Sequence, residues 1–384
     1  MNELARAAPR FAMVAGEASG DLLAALLLGG LKARWPGLAA YGIGGPNMAR
    51  EGFDARWPQA LLAVRGYVEV LRHYRAIARI RTKLAAQLLV EPPDVFIGVD
   101  APDFNLALEA RLKAARIRTV HFVCPSVWAW RAKRIDRLAA SADHVLCVFP
   151  FEPPLLARAG VAASYVGHPL ADLIPLDVPR AASRAALGLG DADVVVALLP
   201  GSRRSEIAAI APRFVAAAAL LHARRPDLVF VLPVAPGLRA AIEPLVAAGG
   251  APIRLFDGRS HETLAACDAT LIASGTATLE AMLYKRPMVI AYNMHPLSWQ
   301  LMKRMKLQPW VGLPNILGES FVVPELLQDA ATPDALAREV LGWLDAPAAR
   351  RDALAARFTE LHHRLRRDTA RSATDAIATL VESG

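Results

Sequence analysis

The chain has 384 residues, 54% of them hydrophobic, which is longer than one core usually serves and supplies apolar material for two domains. Its formal net charge of +8 favours anionic partners without choosing among nucleotide, nucleic acid and anionic lipid. The three cysteines, Cys124, Cys147 and Cys267, lie far apart and form no CxxC pair, so a reducing cytoplasm and no structural metal are expected.

Residues 1–10 are mostly short and polar, and the apolar stretch 11–15 ends at Gly16-Glu17, so no secretory signal is expected. Arg, Glu or Asp interrupts every hydrophobic run before about 18 residues, so membrane contact should be peripheral. Stretches 11–15, 94–100, 119–124, 144–149 and 164–167 read as strands, each followed by a turn and usually a helix. They are nearly continuous in apolar residues, the signature of strands covered on both faces of a parallel sheet. Pro169, Pro175 and Pro179 interrupt the rhythm, which resumes at 194–199. The second half repeats it with strands at 228–233, 253–256, 269–273 and 288–292 and helices at 205–221, 261–266 and 276–284. From Thr332-Pro333-Asp334, a capping start, the chain reads as helical to its end.

The expectation is an α/β protein of two Rossmann-like doubly wound domains with a deep interdomain cleft and C-terminal helices. The first domain spans 1–170, a linker 171–192 and the second domain 193–345; helices at 346–384 cross back to the first domain.

In such sheets ligands bind beyond the carboxyl ends of the strands, so the turns that follow them hold the candidates. Gly16-Glu17-Ala18-Ser19-Gly20-Asp21 follows the first strand; its glycines permit close approach, and Ser19 or Asp21 can cap the next helix. Asp100, at the tip of 94–100, is well placed for a general base, or it supports a turn in which Asp103 or Asn105 caps the helix. Ser126, Trp128, Trp130 and Arg131 crowd the turn after 119–124, where the aromatics either pack in the core or wall a sugar or acyl chain. Gly201-Ser202-Arg203 offers backbone N–H groups, a helix N-terminus and a guanidinium to a diphosphate. Ser274-Gly275-Thr276 is a second such turn, with Glu280 one helical turn on, where a carboxylate either accepts ribose hydroxyls or simply faces solvent from its helix. The lone D-x-D pair, Asp191 and Asp193, precedes a strand and reads as turn residues, so no metal is implied. Two basic amphipathic stretches, 64–89 and 296–310, suit either an anionic lipid surface or an ordinary solvent face.

Together VAGEASGD at 14–21, GVDAPDFN at 98–105, PSVWAWR at 125–131, LPGSRRSE at 199–206 and ASGTATLE at 273–280 resemble the lipid-A-disaccharide synthase family. The resemblance continues through Gly167-His168-Pro169 and Leu313-Pro314-Asn315. It implies a glycosyltransferase-B fold, with UDP-2,3-diacylglucosamine as donor and 2,3-diacylglucosamine 1-phosphate as acceptor. It further implies inverting, metal-independent transfer without a cofactor, in the cytoplasm and peripheral to the inner face of the membrane. No nucleic acid partner is implied, and a homodimer is left open. On this resemblance Asp100 is the base; Gly201, Ser202, Arg203, Ser274, Gly275, Thr276, Glu280 and Asn315 serve the donor; and Glu17, Ser19, Asn47, Ser126 and Trp128 serve the acceptor. The rival readings are an isomerase like UDP-N-acetylglucosamine 2-epimerase and a non-catalytic UDP-sugar sensor at the membrane surface.

Overall fold

A computed structural model of the chain describes residues 8–59, 62, 67–128, 134–294, 299–300 and 307–382. The chain divides into two compact units, one of residues 1–172 with 364–384 and one of residues 173–363.

The sheet of the first unit holds β1 (Arg10–Ala15), β2 (Ala39–Gly44), β3 (Asp54–Pro58), β4 (Val95–Val99), β5 (Arg118–Phe122), β6 (His144–Cys147) and β7 (Ala163–Tyr165). All pairs are parallel, in the order β3-β2-β1-β4-β5-β6-β7. The order reverses direction between β1 and β4, where Ala15 pairs with Val99. That is the switch point at which flanking loops part and leave room for a ligand. Phe11, Met13, Val14, Phe96, Ile97 and Val120 are buried, as expected of strands covered on both faces. The helix Tyr67–Val90 lays Ile77, Ile80, Leu84, Ala85 and Leu88 on this core and turns Arg75, Arg79 and Lys83 outward. Residues 64–66 of the first basic stretch lie outside the described residues, as do 296–298 and 301–306 of the second.

The helix Thr369–Glu382 packs on the helix Ala18–Arg34 so closely that a Cβ at Gly30 would meet the Ala370 carbonyl at 2.8 Å. The Asp172 carboxylate fastens its start by accepting hydrogen bonds from the Asp368 and Thr369 N–H groups and the Thr369 hydroxyl.

The sheet of the second unit holds β8 (Val194–Leu199), β9 (Leu228–Val234), β10 (Ile253–Asp257), β11 (Ala269–Ala273), β12 (Met288–Tyr292) and β13 (Glu325–Leu327). Its order is β10-β9-β8-β11-β12-β13, again all parallel, with the switch point between β8 and β11. Among the described residues, the helix Arg204–Arg224 alone is long and apolar enough to cross a membrane by length and composition. Ile207, Ile210, Phe214, Ala218 and Leu221 on it are instead buried, and it packs against the helices Pro333–Leu344 and Arg239–Ala247. The Thr332 hydroxyl caps Pro333–Leu344 by accepting from the Ala335 N–H at 3.2 Å.

Candidate active site

At the first switch point the chain leaves β4 through two non-glycine residues in the left-handed region, Asp100 (φ 49°) and Ala101 (φ 44°). Such a pair costs free energy and persists only where surrounding contacts fix it. Here the Asp100 N–H donates to the Phe122 carbonyl at 2.9 Å. From behind, the Asn105 amide donates to the Asp100 carbonyl at 2.8 Å and the Val99 carbonyl at 3.3 Å. The Asp100 carboxyl is half-buried, and burial pushes its pKa up; Glu17 adds to the rise while His121 opposes it.

Neither Asp103 nor Asn105 caps the following helix. The helix Pro102–Ala114 has Ala101 as its N-cap with no side-chain bond, Asn105 is turned inward and Asp103 pairs with Arg134 at 3.0 Å. The cap expected of Ser19 or Asp21 is also absent. Asp21 is buried and instead accepts the Gly45, Asn47 and Met48 N–H groups, satisfying the first turn of the helix Pro46–Arg50. One carboxylate thereby ties the turn after β1 to the turn after β2.

Glu17, Asn47 and Asp100 therefore stand at the carboxyl ends of β1, β2 and β4, adjacent strands in the order β2-β1-β4. Ser19 is exposed on the first turn of its helix, and Ser126 is exposed in the turn after β5. Trp128 is placed otherwise. It is buried, its indole donates to Glu152 at 3.0 Å, and its ring meets Phe149 and Phe151 edge-on. Its side chain therefore belongs to the packing of the first unit, and Trp130 and Arg131 lie outside the described residues.

The cysteines are not all apart in space. Cys124 follows β5 and Cys147 ends the adjacent β6, and their sulfurs lie within 4.8 Å of each other and of a Glu152 oxygen, a group that could hold a metal ion. Both Glu152 oxygens are already occupied, by the Trp128 indole and by the Val148 and Phe149 N–H groups. Burial pushes the Glu152 pKa up to about 8, so this carboxyl takes up a proton more readily than an ordinary one.

In the second unit, Gly201 follows β8 and Gly275 follows β11, on adjacent strands at the switch point. Gly201 (φ 116°) and Gly275 (φ 154°) both adopt backbone that side-chain-bearing residues rarely reach. A Cβ on Gly201 would lie 2.6 Å from a Glu206 oxygen, whereas one on Gly275 would meet, beyond its chain neighbours, no atom of the described residues within 4 Å. The second turn is thus open to a ligand. It leads into the helix Thr276–Leu283, and the first into Arg204–Arg224, so positive helix ends face both turns.

The N–H groups of the first turn are not free, contrary to expectation. Glu206 Oε2 accepts from the Ser202 N–H at 3.0 Å and the Arg203 N–H at 3.2 Å, and its other oxygen meets the Arg203 guanidinium at 3.2 Å. A glutamate at the third helical position reaching back to the start of the helix is a familiar way of filling orphan donors, and it puts an internal anion where an external one was expected. Tyr292, at the end of β12, feels the charges of both Glu206 and Arg203, which brings a third strand end to this place; burial is the main cause of its raised pKa.

Glu280 lies one turn into its helix, largely buried, with His261 Nε2 at 3.5 Å; burial raises its pKa and His261 partly offsets the rise. Ser274 donates to the Val311 carbonyl at 3.1 Å. Asn315 is fully buried and spends its whole amide internally, donating to Val323 and Glu325 and accepting from the Val322 and Val323 N–H groups. With Glu325, which accepts the Val311 and Gly312 N–H groups, it braces the loop that Ser274 touches. Asn315 thus has no free polar atom for a donor sugar.

The family model for lipid-A-disaccharide synthetase matches residues 11–377. The lipid-A-disaccharide synthase of Albidiferax ferrireducens is 60% identical over 377 residues, covering 97% of each chain. Among solved structures, the UDP-GlcNAc 2-epimerase of Neisseria meningitidis bound to UDP-GlcNAc superposes with a TM-score of 0.65 at 12% identity, over 98% of this chain and 100% of that one. The glycosyltransferase of kitacinnamycin superposes with a TM-score of 0.62 at 16% identity, over 96% and 98%. These two likenesses carry the glycosyltransferase-B fold; the sequence match carries the family. The chain belongs to the lipid-A-disaccharide synthetase family and is a glycosyltransferase of lipid A biosynthesis.

Proposed function

We propose that the chain transfers 2,3-diacylglucosamine from UDP-2,3-diacylglucosamine to the 6-hydroxyl of 2,3-diacylglucosamine 1-phosphate, with inversion at the anomeric carbon. The products are UDP and the β-1,6-linked disaccharide 1-phosphate. The observation that carries this reading is Asp100, a half-buried carboxylate held on strained backbone at the switch point of the first sheet.

Asp100 accepts the proton of the attacking hydroxyl. The acceptor oxygen bonds to the anomeric carbon, the bond from that carbon to the UDP oxygen breaks, and its electron pair leaves with UDP. A partly desolvated carboxylate is a stronger base than one in water, which suits a proton that leaves only as the new bond forms. Glu17 and Asn47 bind the acceptor beside it. Arg203 and the turns at Gly201 and Gly275 meet the growing charge on the diphosphate, and Glu280 accepts the ribose hydroxyls. In this reading Asn315 acts by bracing the loop at Val311, and neither a metal nor another cofactor takes part. The outward Arg75, Arg79 and Lys83 suit an anionic lipid surface, consistent with work at the inner face of the cytoplasmic membrane. The family match weighs against the epimerase-like reading, because the likeness to epimerases lies in the fold alone.

The test is UDP release from UDP-2,3-diacylglucosamine by the purified protein in detergent and EDTA, with and without acceptor. Release is expected only with acceptor and is unaffected by EDTA. Turnover of the UDP-sugar without acceptor favours the isomerase, and no release under either condition overturns the transferase.

A further inference from the structure

A second pair of titratable groups lies beneath Asp100, and the mechanism above does not use it. His121, in the middle of β5, pairs with Gly98 of β4, two residues before Asp100. Glu109 rises from the helix Pro102–Ala114, and its Oε1 lies 2.8 Å from His121 Nδ1. Both side chains are fully buried. The space they fill exists because residue 98 has no side chain: a Cβ there would stand 2.0 Å from Glu109 Oε1.

Burying two polar side chains in an apolar layer is costly unless they satisfy one another or serve something else. These do not fully satisfy one another. His121 Nε2 and Glu109 Oε2 have no hydrogen-bond partner among the described residues. Replacing the pair by apolar side chains of similar volume is often neutral or stabilising in other proteins, so stability alone gives weak reason to keep it.

The groups around it give a better one. Among the described residues, Asp100 and Glu109 are the charged groups that act on the His121 ring, and His121 and Glu17 are those that act on Asp100. Burial opposes a charge on His121, yet the two carboxylates outweigh it, so its pKa lies above the ordinary histidine value. Glu109 is raised by burial and held back by His121.

We propose that His121, held by Glu109, is a positioning residue for Asp100, its buried imidazolium keeping the Asp100 carboxyl ionised at the pH where it must accept a proton. Burial and Glu17 both push Asp100 towards its protonated form, which is useless as a base, and the cation one strand away is the opposing element. Glu109 fixes the orientation of the ring by accepting from its Nδ1–H, and the Nε2–H is left without a partner among the described residues. The inference rests on Asp100 being the base.

The experiment is the pH profile of kcat for UDP release by the full chain, comparing wild type with His121→Gln, Glu109→Gln and Asp100→Asn. Losing the cation raises the Asp100 pKa, so the acidic limb in His121→Gln moves up by about 1–3 pH units and the rate recovers as the pH rises. Glu109→Gln keeps a partner for Nδ1 but weakens the imidazolium, and moves the limb in the same direction by less. A uniform loss at every pH, or a limb that stays in place, overturns the inference. Asp100→Asn separates the two readings: if it is inactive while the other variants keep the wild-type limb, the base stands and the tuning falls; if it is fully active, the base falls first. A second measurement is independent of turnover, and its overturning outcome needs no variant. In the nuclear magnetic resonance titration of the nine histidines of the wild type, one ring, assigned through His121→Gln where that variant folds, is expected to stay charged above its ordinary range; an ordinary or lower value for every ring overturns the inference.

Discussion

The two switch points are built on one topology and carry opposite chemistry. In the first unit β4 ends in a carboxylate, with a second carboxylate beside it at Glu17 and a buried histidine and glutamate beneath. In the second, glycines follow β8 and β11 just before helix N-termini, with a guanidinium at Arg203; the Gly275 turn is open and the Gly201 turn is filled by Glu206. A proton acceptor needs partial desolvation and a tuned neighbourhood, so its surroundings are dense and charged. An anion cradle needs backbone donors within reach and no Cβ in the way, which glycine supplies at both turns, although at the first a carboxylate of the chain itself holds the donors. The same sheet order supplies both because only the turns differ.

If the two regions have separate tasks, damage to one leaves the other's task intact. The largest expected effect is that of Asp100→Ala. Loss of a general base lowers kcat by about 10²–10⁴-fold, while UDP affinity measured by calorimetry stays at the wild-type value. A parallel loss of UDP affinity breaks the division of labour.

Gly275→Val attacks the other region. The backbone at φ 154° and ψ −165° belongs almost solely to glycine, so any side chain there strains the fold by about 1–3 kcal/mol. The side chain also fills space that no atom of the described residues occupies. UDP affinity is expected to fall by at least about tenfold, which corresponds to ~1.4 kcal/mol, with a lowered Tm. Unchanged affinity in a folded variant takes the open turn out of the UDP site.

How much of this was legible in the sequence follows the same division. Strands covered on both faces show as unbroken apolar runs, and β1, β4, β5, β8, β9, β11 and β12 were all visible that way. β2 was missed because its Ala-Ala-Tyr-Gly-Ile-Gly is weak in β-branched residues, and β3 because Asp54, Ala55 and Arg56 are exposed at an edge. β13 has three residues at the other edge. Turns after strands give the address of Asp100, Gly201 and Gly275 but not the direction of side chains; Trp128 and Asn315, given to ligands by the family resemblance, are packed inward, which for Trp128 is the core alternative the residues themselves left open. Asp21 reaching to Gly45 and Glu109 reaching to His121 join residues distant in sequence, which no spacing reveals. His121 left one trace, a histidine within the apolar run 119–124.

Glu280 sharpens the comparison through pH. Its pKa is raised, chiefly by burial, and its proposed role of accepting ribose hydroxyls requires it ionised. UDP affinity should therefore be flat at high pH and weaken as the pH falls through that raised value, by at most about tenfold per unit for one proton. Glu280→Gln should bind UDP weakly with a shallower slope, the remaining slope belonging to the nucleotide's own phosphates. Calorimetry across pH 5–8 for the two proteins decides it, and parallel slopes remove Glu280 from the ribose.

The smallest effect is expected at Glu206, which holds the turn at Ser202 and Arg203. Its carboxylate accepts the Ser202 and Arg203 N–H groups and pairs with the Arg203 side chain, occupying the donors a diphosphate would use. In Glu206→Gln the amide oxygen still accepts those N–H bonds but the negative charge is gone. A charge at a helix N-terminus contributes about 0.3–1 kcal/mol, so the variant should lose roughly that much stability. It should gain UDP affinity by about two- to fivefold, because the diphosphate no longer competes with an internal anion. Both changes should shrink as salt is raised, since the side chain is partly exposed. Weaker UDP binding in this variant would give Glu206 the opposite role: a carboxylate that organises the turn and Arg203 for the ligand and does not have to be displaced by it.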